Sequence, residues 1–123
     1  MIPWWSTDFG EPEIASVTAA IRDRNISQGN VTRQFEEALA ATLGVPYVVC
    51  TTSGTTALTM ALLACGVGRG HEVVVPDRTW IATAHAVMMT GAEVRLVDVD
   101  ANGILGEGEY RSKAIIPVNL NGR

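Results

Sequence analysis

The sequence predicts an α/β protein built on a three-layer, mostly parallel sheet. Short β-branched runs at residues 45–52, 72–75, 94–99 and 113–119 alternate with segments whose apolar residues recur at helical spacing. The second observation is the stretch 47–66, YVVCTTSGTTALTMALLACG, which has the pattern of a strand, a hydroxyl-rich turn and a helix. Alternation of this kind is typical of parallel sheets whose two faces are covered by helices.

Two helices are predicted before the first strand. Residues 11–24 carry Pro12 in the first turn and apolar residues on one face, and residues 31–43 repeat apolar side chains every four positions until Gly44. In front of them, Trp4, Trp5 and Phe9 lie close together, and we expect them to anchor the N-terminus or to line a substrate entrance. We therefore predict an arm with two helices over residues 1–44 and an α/β domain over residues 45–123.

The later elements follow the same alternation. The helix of the stretch 47–66 ends near Gly66, and a further helix is expected over residues 79–89. Residues 101–110 contain three glycines and predict no helix. The last predicted strand, residues 113–119, comes directly before the end of the sequence. Because a parallel sheet needs both faces covered, we expect a larger protein or partner chains to complete it.

Composition excludes several functional classes. The net charge is −4 and the arginines are scattered, which gives no basis for binding nucleic acid or an anionic membrane. The start of the sequence has no signal-peptide pattern, and no apolar stretch has transmembrane length. Cys50 and Cys65 lie in apolar runs and are predicted to be buried thiols in a reducing compartment. We expect a soluble, cytoplasmic protein without a metal site.

The turn Ser53-Gly54-Thr55 is the first candidate binding site. Backbone N–H groups and hydroxyls at the start of a helix favour an anion such as phosphate. The alternative is that Ser53 only caps the helix while Gly54 allows a tight turn. Residues 77–80 and 119–121 follow the ends of other strands, and ligands of parallel α/β sheets gather at those carboxyl ends.

Several strings of the sequence resemble the DegT/DnrJ/EryC1/StrS family of pyridoxal-phosphate (PLP) sugar aminotransferases of fold-type I. The strings are TTSGTTALTMALLACGVGRGHEVVVP, TWIATAHAVMMTGAEVRLVDVD, KAIIPVNLNG and the earlier ISQGNVTRQFEEALAATLGV. They keep the order and approximate spacing of the family's motifs over nearly the whole chain. The resemblance implies that this chain is the N-terminal part of the large PLP-binding domain.

The resemblance also implies roles for individual residues. The turn at Ser53, Gly54 and Thr55 matches the family's phosphate-binding turn, and Trp80 matches the aromatic residue that stacks on the pyridine ring. A flat indole suits such a contact. Thr83 is expected nearby as a further cofactor-binding residue, with Thr79 as a polar neighbour. For Trp80 alone, the alternative is packing in the core.

The sequence also departs from the family pattern. The family's Schiff-base lysine and the aspartate that pairs with the pyridine nitrogen lie downstream of this chain, so no catalytic residue is predicted here. Lys113 is the only lysine, and it is expected to be a surface residue at the start of a strand. Asp98 and Asp100 are expected to cap a turn. Asn119 and Asn121 stand where members usually carry histidine and an aromatic residue, which leaves the substrate contacts open.

The activity implied by the resemblance is transfer of an amino group, usually from glutamate, to a nucleotide-linked keto-sugar for amino-sugar biosynthesis. A homodimer is implied for the intact protein, and the isolated 123-residue chain is expected to be inactive. The alternatives are a PLP-dependent sugar dehydratase of the same family, a nucleotide-binding α/β module without PLP, and a structural fragment. Against the nucleotide module, SGTTAL lacks the GxGxxG fingerprint.

Overall fold

The computed structural model describes residues 6–106 and 108–122. The expectation about Trp4 and Trp5 falls outside these residues. The described elements, in chain order, are α1 (Glu11–Arg22), α2 (Asn30–Leu43), α3 (Gly54–Ala64), β1 (Glu72–Pro76), α4 (Ile81–Met89), β2 (Glu93–Val97), β3 (Ala114–Ile115) and a short 3-10 helix, Leu120–Gly122. The described residues up to Cys50 form one unit, and those from Thr51 onwards form a second.

The first unit contains the two predicted helices. At the start of α1, the backbone N–H of Gly10 donates to Oε2 of Glu13 at 2.7 Å. This hydrogen bond lowers the pKa of the Glu13 carboxyl from its ordinary value. Arg33 and Glu37, one turn apart on α2, form an exposed ion pair at 3.2 Å. Such a pair on a solvated helix face contributes about 0.3–0.5 kcal/mol to the stability of the helix.

The first predicted strand, residues 45–52, is wrong for the described chain. A strand exists only through hydrogen bonds to a neighbour, and these residues join none of the three observed strands. The backbone N–H of Cys50 donates instead to the Glu36 carboxylate at 2.8 Å. Tyr47 is 86% exposed and Val49 is 64% exposed, so the apolar run is not buried by the residues described.

The second unit contains a three-stranded parallel sheet in the order β2-β1-β3. In the ladders, Val73 lies opposite Val94 on one side and opposite Ala114 on the other. The predicted α/β fold with a parallel sheet is thereby confirmed. The carboxyl end of β1 leads directly into the loop before α4, the next element of the chain.

The core of the second unit forms around β1. Val73, Val74 and Val75 are fully buried. Val73 and Val75 belong to the same apolar cluster as Ala86 and Val87 of α4, with Leu62 of α3, Val67 and Ala92 completing it. This burial fixes α4 against the sheet, and with it the residues at the start of α4.

The fourth predicted strand is shorter than expected. Residues 113–119 were predicted to be extended, but only Ala114 and Ile115 are assigned to β3. The N–H of Ile116 still donates to the carbonyl of Val74 at 2.9 Å. Pro117 follows directly, and proline is rare inside regular strands.

The two cysteines differ from the predicted pair of buried thiols. Cys65 follows the last residue of α3 and is exposed, which corrects the expectation of burial. Cys50 is half-buried. Partial burial, together with the nearby Glu36 carboxylate, raises the pKa of the Cys50 thiol. Both cysteines are free.

The segment after β2 is a tight turn around Asp100. The Asp100 carboxylate accepts from the N–H of Asn102 at 2.8 Å and from the N–H of Ile104 at 3.1 Å. Gly103 within this turn has φ +79°, and an added Cβ would stand 2.9 Å from a guanidinium nitrogen of Arg78. The turn thus needs glycine for its left-handed backbone, whereas the Arg78 guanidinium is the end of a flexible side chain and can shift.

We predict that Gly103→Ala lowers the free energy of unfolding by about 1–2 kcal/mol because of its left-handed backbone, with little added by Arg78, whose guanidinium can shift. Gly70→Ala is the matched control, because Gly70 has φ +80° and open space around the added methyl. Denaturant unfolding of the intact protein should show similar losses for the two variants. A clearly larger loss for Gly103→Ala that Arg78→Ala removes would contradict the free movement of Arg78.

Candidate cofactor site

The N-terminus of α3 forms one side of the candidate site. Ser53 is the N-cap residue, and its Oγ accepts from the N–H of Thr56 at 3.2 Å. Its hydroxyl also lies 3.0 Å from Oγ1 of Thr56. The capping role considered for Ser53 is therefore observed. Gly54 and Thr55 follow as the first helical residues, whose N–H groups precede any intrahelical acceptor and are available to a ligand.

The N-terminus of α4 supplies the aromatic residue. Trp80 is the N-cap residue of α4, with φ −67° and ψ 139°, and it provides no side-chain cap. Its side chain is 78% exposed, so core packing does not explain Trp80 within the described chain. An exposed indole of this size is a contact surface for a ligand or for another protein segment.

A single cleft of about 600 Å³ joins the two helix starts. Its lining comprises Gly54, Thr55, Ala57, Leu58, Trp80, Ala82 and Thr83. Four of the five predicted site residues therefore line one cavity, and the fifth, Ser53, caps the helix that holds two of them. The cleft combines helix N–H groups, hydroxyls and an aromatic face, which suits a flat molecule that carries an anion.

Two threonine hydroxyls make contacts next to residues that line the cleft. Oγ1 of Thr59, a buried residue, donates to the carbonyl of Thr55 at 2.9 Å and lies 3.8 Å from the Met89 sulfur on α4. The Thr79 and Thr83 hydroxyls are 2.8 Å apart. Thr59 was not singled out from the sequence. Its only signal there is its spacing, one helical turn after Thr55, which is common on helices of any function.

The other candidate residues do not line the cleft. The N–H of Lys113 donates to the carbonyl of Glu72 at 2.9 Å, which places Lys113 beside the start of β1. Asp100 caps its own turn, as expected, and the hydrogen bond from the Ile104 N–H is the main cause that lowers the pKa of its carboxyl. His85 is exposed on α4, and Asn121 lies in the 3-10 helix with φ 57°.

Comparison with known proteins gives the site its context. A family model described as the DegT/DnrJ/EryC1/StrS aminotransferase family matches residues 7–123. The chain belongs to this family. The resemblance stated from the sequence is therefore confirmed.

Solved structures agree with the family assignment. A protein described as the sugar aminotransferase Spr1654 from Streptococcus pneumoniae, in its PMP form, has 32% identity and a TM-score of 0.84 over 97% of this chain. A DegT DnrJ EryC1 StrS aminotransferase from Brucella abortus has 36% identity and a TM-score of 0.75 over 87%. GDP-4-keto-6-deoxy-D-mannose-3-dehydratase from E. coli, with bound hydrated PLP, has 27% identity and a TM-score of 0.84 over 96%.

These matches cover 32%, 32% and 34% of the three larger chains, so this chain spans about a third of their length. The fold-type I assignment and PLP as the cofactor of the matched proteins agree with the sequence-based expectations. Within the described ranges, no helix is long and apolar enough to cross a membrane. No group of three or more metal-ligating side chains occurs in that part of the chain either.

We predict that Trp80→Ala in the intact protein weakens PLP binding by about 2- to 13-fold. This range corresponds to about 0.5–1.5 kcal/mol of aromatic stacking beyond area burial. Folding stability should change by no more than about 0.5 kcal/mol, because the side chain is largely exposed. PLP titration by absorbance and denaturant unfolding measure the two effects separately.

Met88→Ala is the control for this prediction. Met88 is an apolar residue of the same helix, is 63% exposed and does not line the cleft. Its truncation should leave PLP affinity unchanged. A large stability loss in Trp80→Ala with unchanged PLP affinity would assign the indole to packing.

Proposed function

We propose that this chain forms the cofactor-binding part of a PLP-dependent enzyme that transfers an amino group to a nucleotide-linked keto-sugar. The observation that carries the proposal is the cleft that Gly54, Thr55, Trp80 and Thr83 share. Its volume and its residue types fit a phosphorylated pyridine ring. The family assignment supplies the reaction class. Glutamate is the proposed amino donor.

The residues of the cleft divide the binding work between them. The N–H groups of Gly54 and Thr55 would hold the cofactor phosphate, because the first turn of a helix offers unpaired donors and a positive dipole end. Ser53 would keep that turn formed through its cap. Trp80 would lie against one face of the pyridine ring, and Thr83 would line the cleft beside it.

When bound, PLP supplies an electron sink for the carbon that loses or gains a proton. The contribution of this chain is orientation: a fixed phosphate and a fixed ring plane leave the reactive edge of the cofactor in one position. The apolar parts of Ala57, Leu58 and Ala82 would exclude water from the covered ring face. Proton transfer needs a basic side chain near that edge.

Lys113 does not meet this need in our proposal. It lies beside Glu72 at the start of β1, whereas Trp80 follows the end of β1 at Pro76. Four residue steps of a strand span roughly 13 Å at about 3.3 Å per residue. We therefore propose that the Schiff-base lysine lies elsewhere in the intact protein and that the isolated chain is inactive. We also propose that the intact protein is a cytoplasmic homodimer. The proposed boundary between the N-terminal arm and the α/β domain stays between residues 44 and 45.

A sugar dehydratase is the second candidate function. The E. coli dehydratase matches 96% of this chain with a TM-score of 0.84, as high as that of the Spr1654 aminotransferase. Both reactions use the same cofactor, and they differ in whether the sugar gains nitrogen or loses an oxygen. The cleft residues serve the cofactor in either case. A nucleotide-binding module without PLP is less well supported, because a matched solved structure is described with bound PLP.

We predict that the intact protein, given PLP, ¹⁵N-glutamate and nucleotide-linked keto-sugars, yields a sugar product that carries ¹⁵N. Mass spectrometry of the product distinguishes the candidates: an aminated sugar supports the aminotransferase, and a deoxygenated sugar without ¹⁵N supports the dehydratase. Lys113→Arg is the control and should retain full turnover. Loss of turnover in that variant, or failure of the unaltered protein to bind PLP, would contradict the proposal.

A further inference from the structure

The start of α4 has an unusual arrangement of polar side chains. The N-cap position favours Ser, Thr, Asp or Asn, whose side chains accept from the first helical N–H groups. Trp80 occupies that position and has no acceptor to offer. Threonines flank it instead, with Thr79 immediately before it and Thr83 three residues after it.

The two threonines contact each other across the backbone of Trp80 and so form a closed hydrogen-bonded ring of atoms. Their hydroxyl oxygens lie 2.8 Å apart, and the N–H of Thr83 donates to the carbonyl of Trp80 at 3.0 Å. The second contact fixes the carbonyl side of Trp80, and the first fixes the residue on its amino side. Both side chains are β-branched and stiff at χ1, so the hydroxyl contact loses little rotamer freedom.

This ring sets the direction of the indole. Thr83 is only 6% exposed, so its side chain occupies the inner side of the first turn. With the inner side filled and its backbone held extended, Trp80 projects outward and stands over the cleft that Gly54 and Thr55 also line. A hydrophobic contact between the residues just before and within the first turn fixes the entry of many helices. Here a pair of hydroxyls serves that purpose.

We propose that Thr79 is a positioning residue that holds Trp80 in place for the cofactor through its hydrogen bond to Thr83. This inference rests on the proposed PLP function for the purpose of the positioning, but the positioning itself exists without the cofactor. Thr79 does not line the cleft, so its effect on PLP passes through its two neighbours.

The test compares Thr79→Val with Thr79→Ser in the intact protein. Time-resolved fluorescence anisotropy, with the signal of Trp80→Phe subtracted, reports the local motion of the Trp80 indole without cofactor. PLP titration then reports affinity. Thr79→Val should increase the local motion of the indole and weaken PLP binding by about twofold, and by no more than Trp80→Ala does, because the hydroxyl contact acts on PLP only through the residues beside it. Thr79→Ser keeps the hydroxyl and should restore both values.

Thr90→Val is the matched control at the other end of α4. The Thr90 hydroxyl donates to the carbonyl of Val87 at 2.7 Å and accepts from the N–H of Ala92 at 3.3 Å. Its loss destabilises the helix end without touching Trp80. Unchanged indole motion in Thr79→Val, or equal changes in Thr79→Val and Thr90→Val, would overturn the positioning role. If the unaltered protein binds no PLP, the proposed function fails, while the anisotropy comparison still decides the role of Thr79.

Discussion

The burial of β1 is the interaction on which the second unit depends. Its three consecutive valines are fully buried: the strand lies between β2 and β3, and Val73 and Val75 pack in one cluster with residues of α4. Burying one such side chain contributes about 1.5–3 kcal/mol relative to exposure. The buried strand thereby fixes the position of the segments at its carboxyl end. These segments are the loop that contains Arg78, the N-cap Trp80 and the first turn of α4. The candidate site is therefore built on the most constrained element of the unit, where binding geometry can be maintained.

The site itself breaks local rules that the rest of the unit obeys. Trp80 leaves a large apolar surface exposed and occupies a helix cap that it cannot serve. Ser53, at the start of α3, obeys the same rule that Trp80 breaks, since its hydroxyl caps the helix. Sequences depart from local preference mainly at functional positions. The contrast between the two helix starts separates an anion-binding role, which needs a well-formed first turn, from a ring-binding role, which needs an open aromatic face.

The sequence predicted most of the elements, and the errors have physical causes. Helical periodicity located α2 to within one residue, and buried β-branched residues located β1. Residues 45–52 have the composition of a strand but no pairing partner in the described chain, and composition cannot reveal a missing partner. The grouping of Gly54, Thr55 and Trp80 followed from the rule that ligands gather at strand ends and from the family resemblance. The contact between Thr79 and Thr83 could not be predicted, because it depends on the rotamers of both side chains, and these cannot be read from the sequence.

We propose that PLP binds in the cleft between the starts of α3 and α4. A crystal structure of the intact protein with PLP would show the binding position. We expect phosphate oxygens within hydrogen-bond distance of the backbone N–H groups of Gly54 and Thr55, with the Trp80 indole stacked on the pyridine ring. A phosphate bound elsewhere, or a pyridine ring that does not touch Trp80, would contradict this proposal.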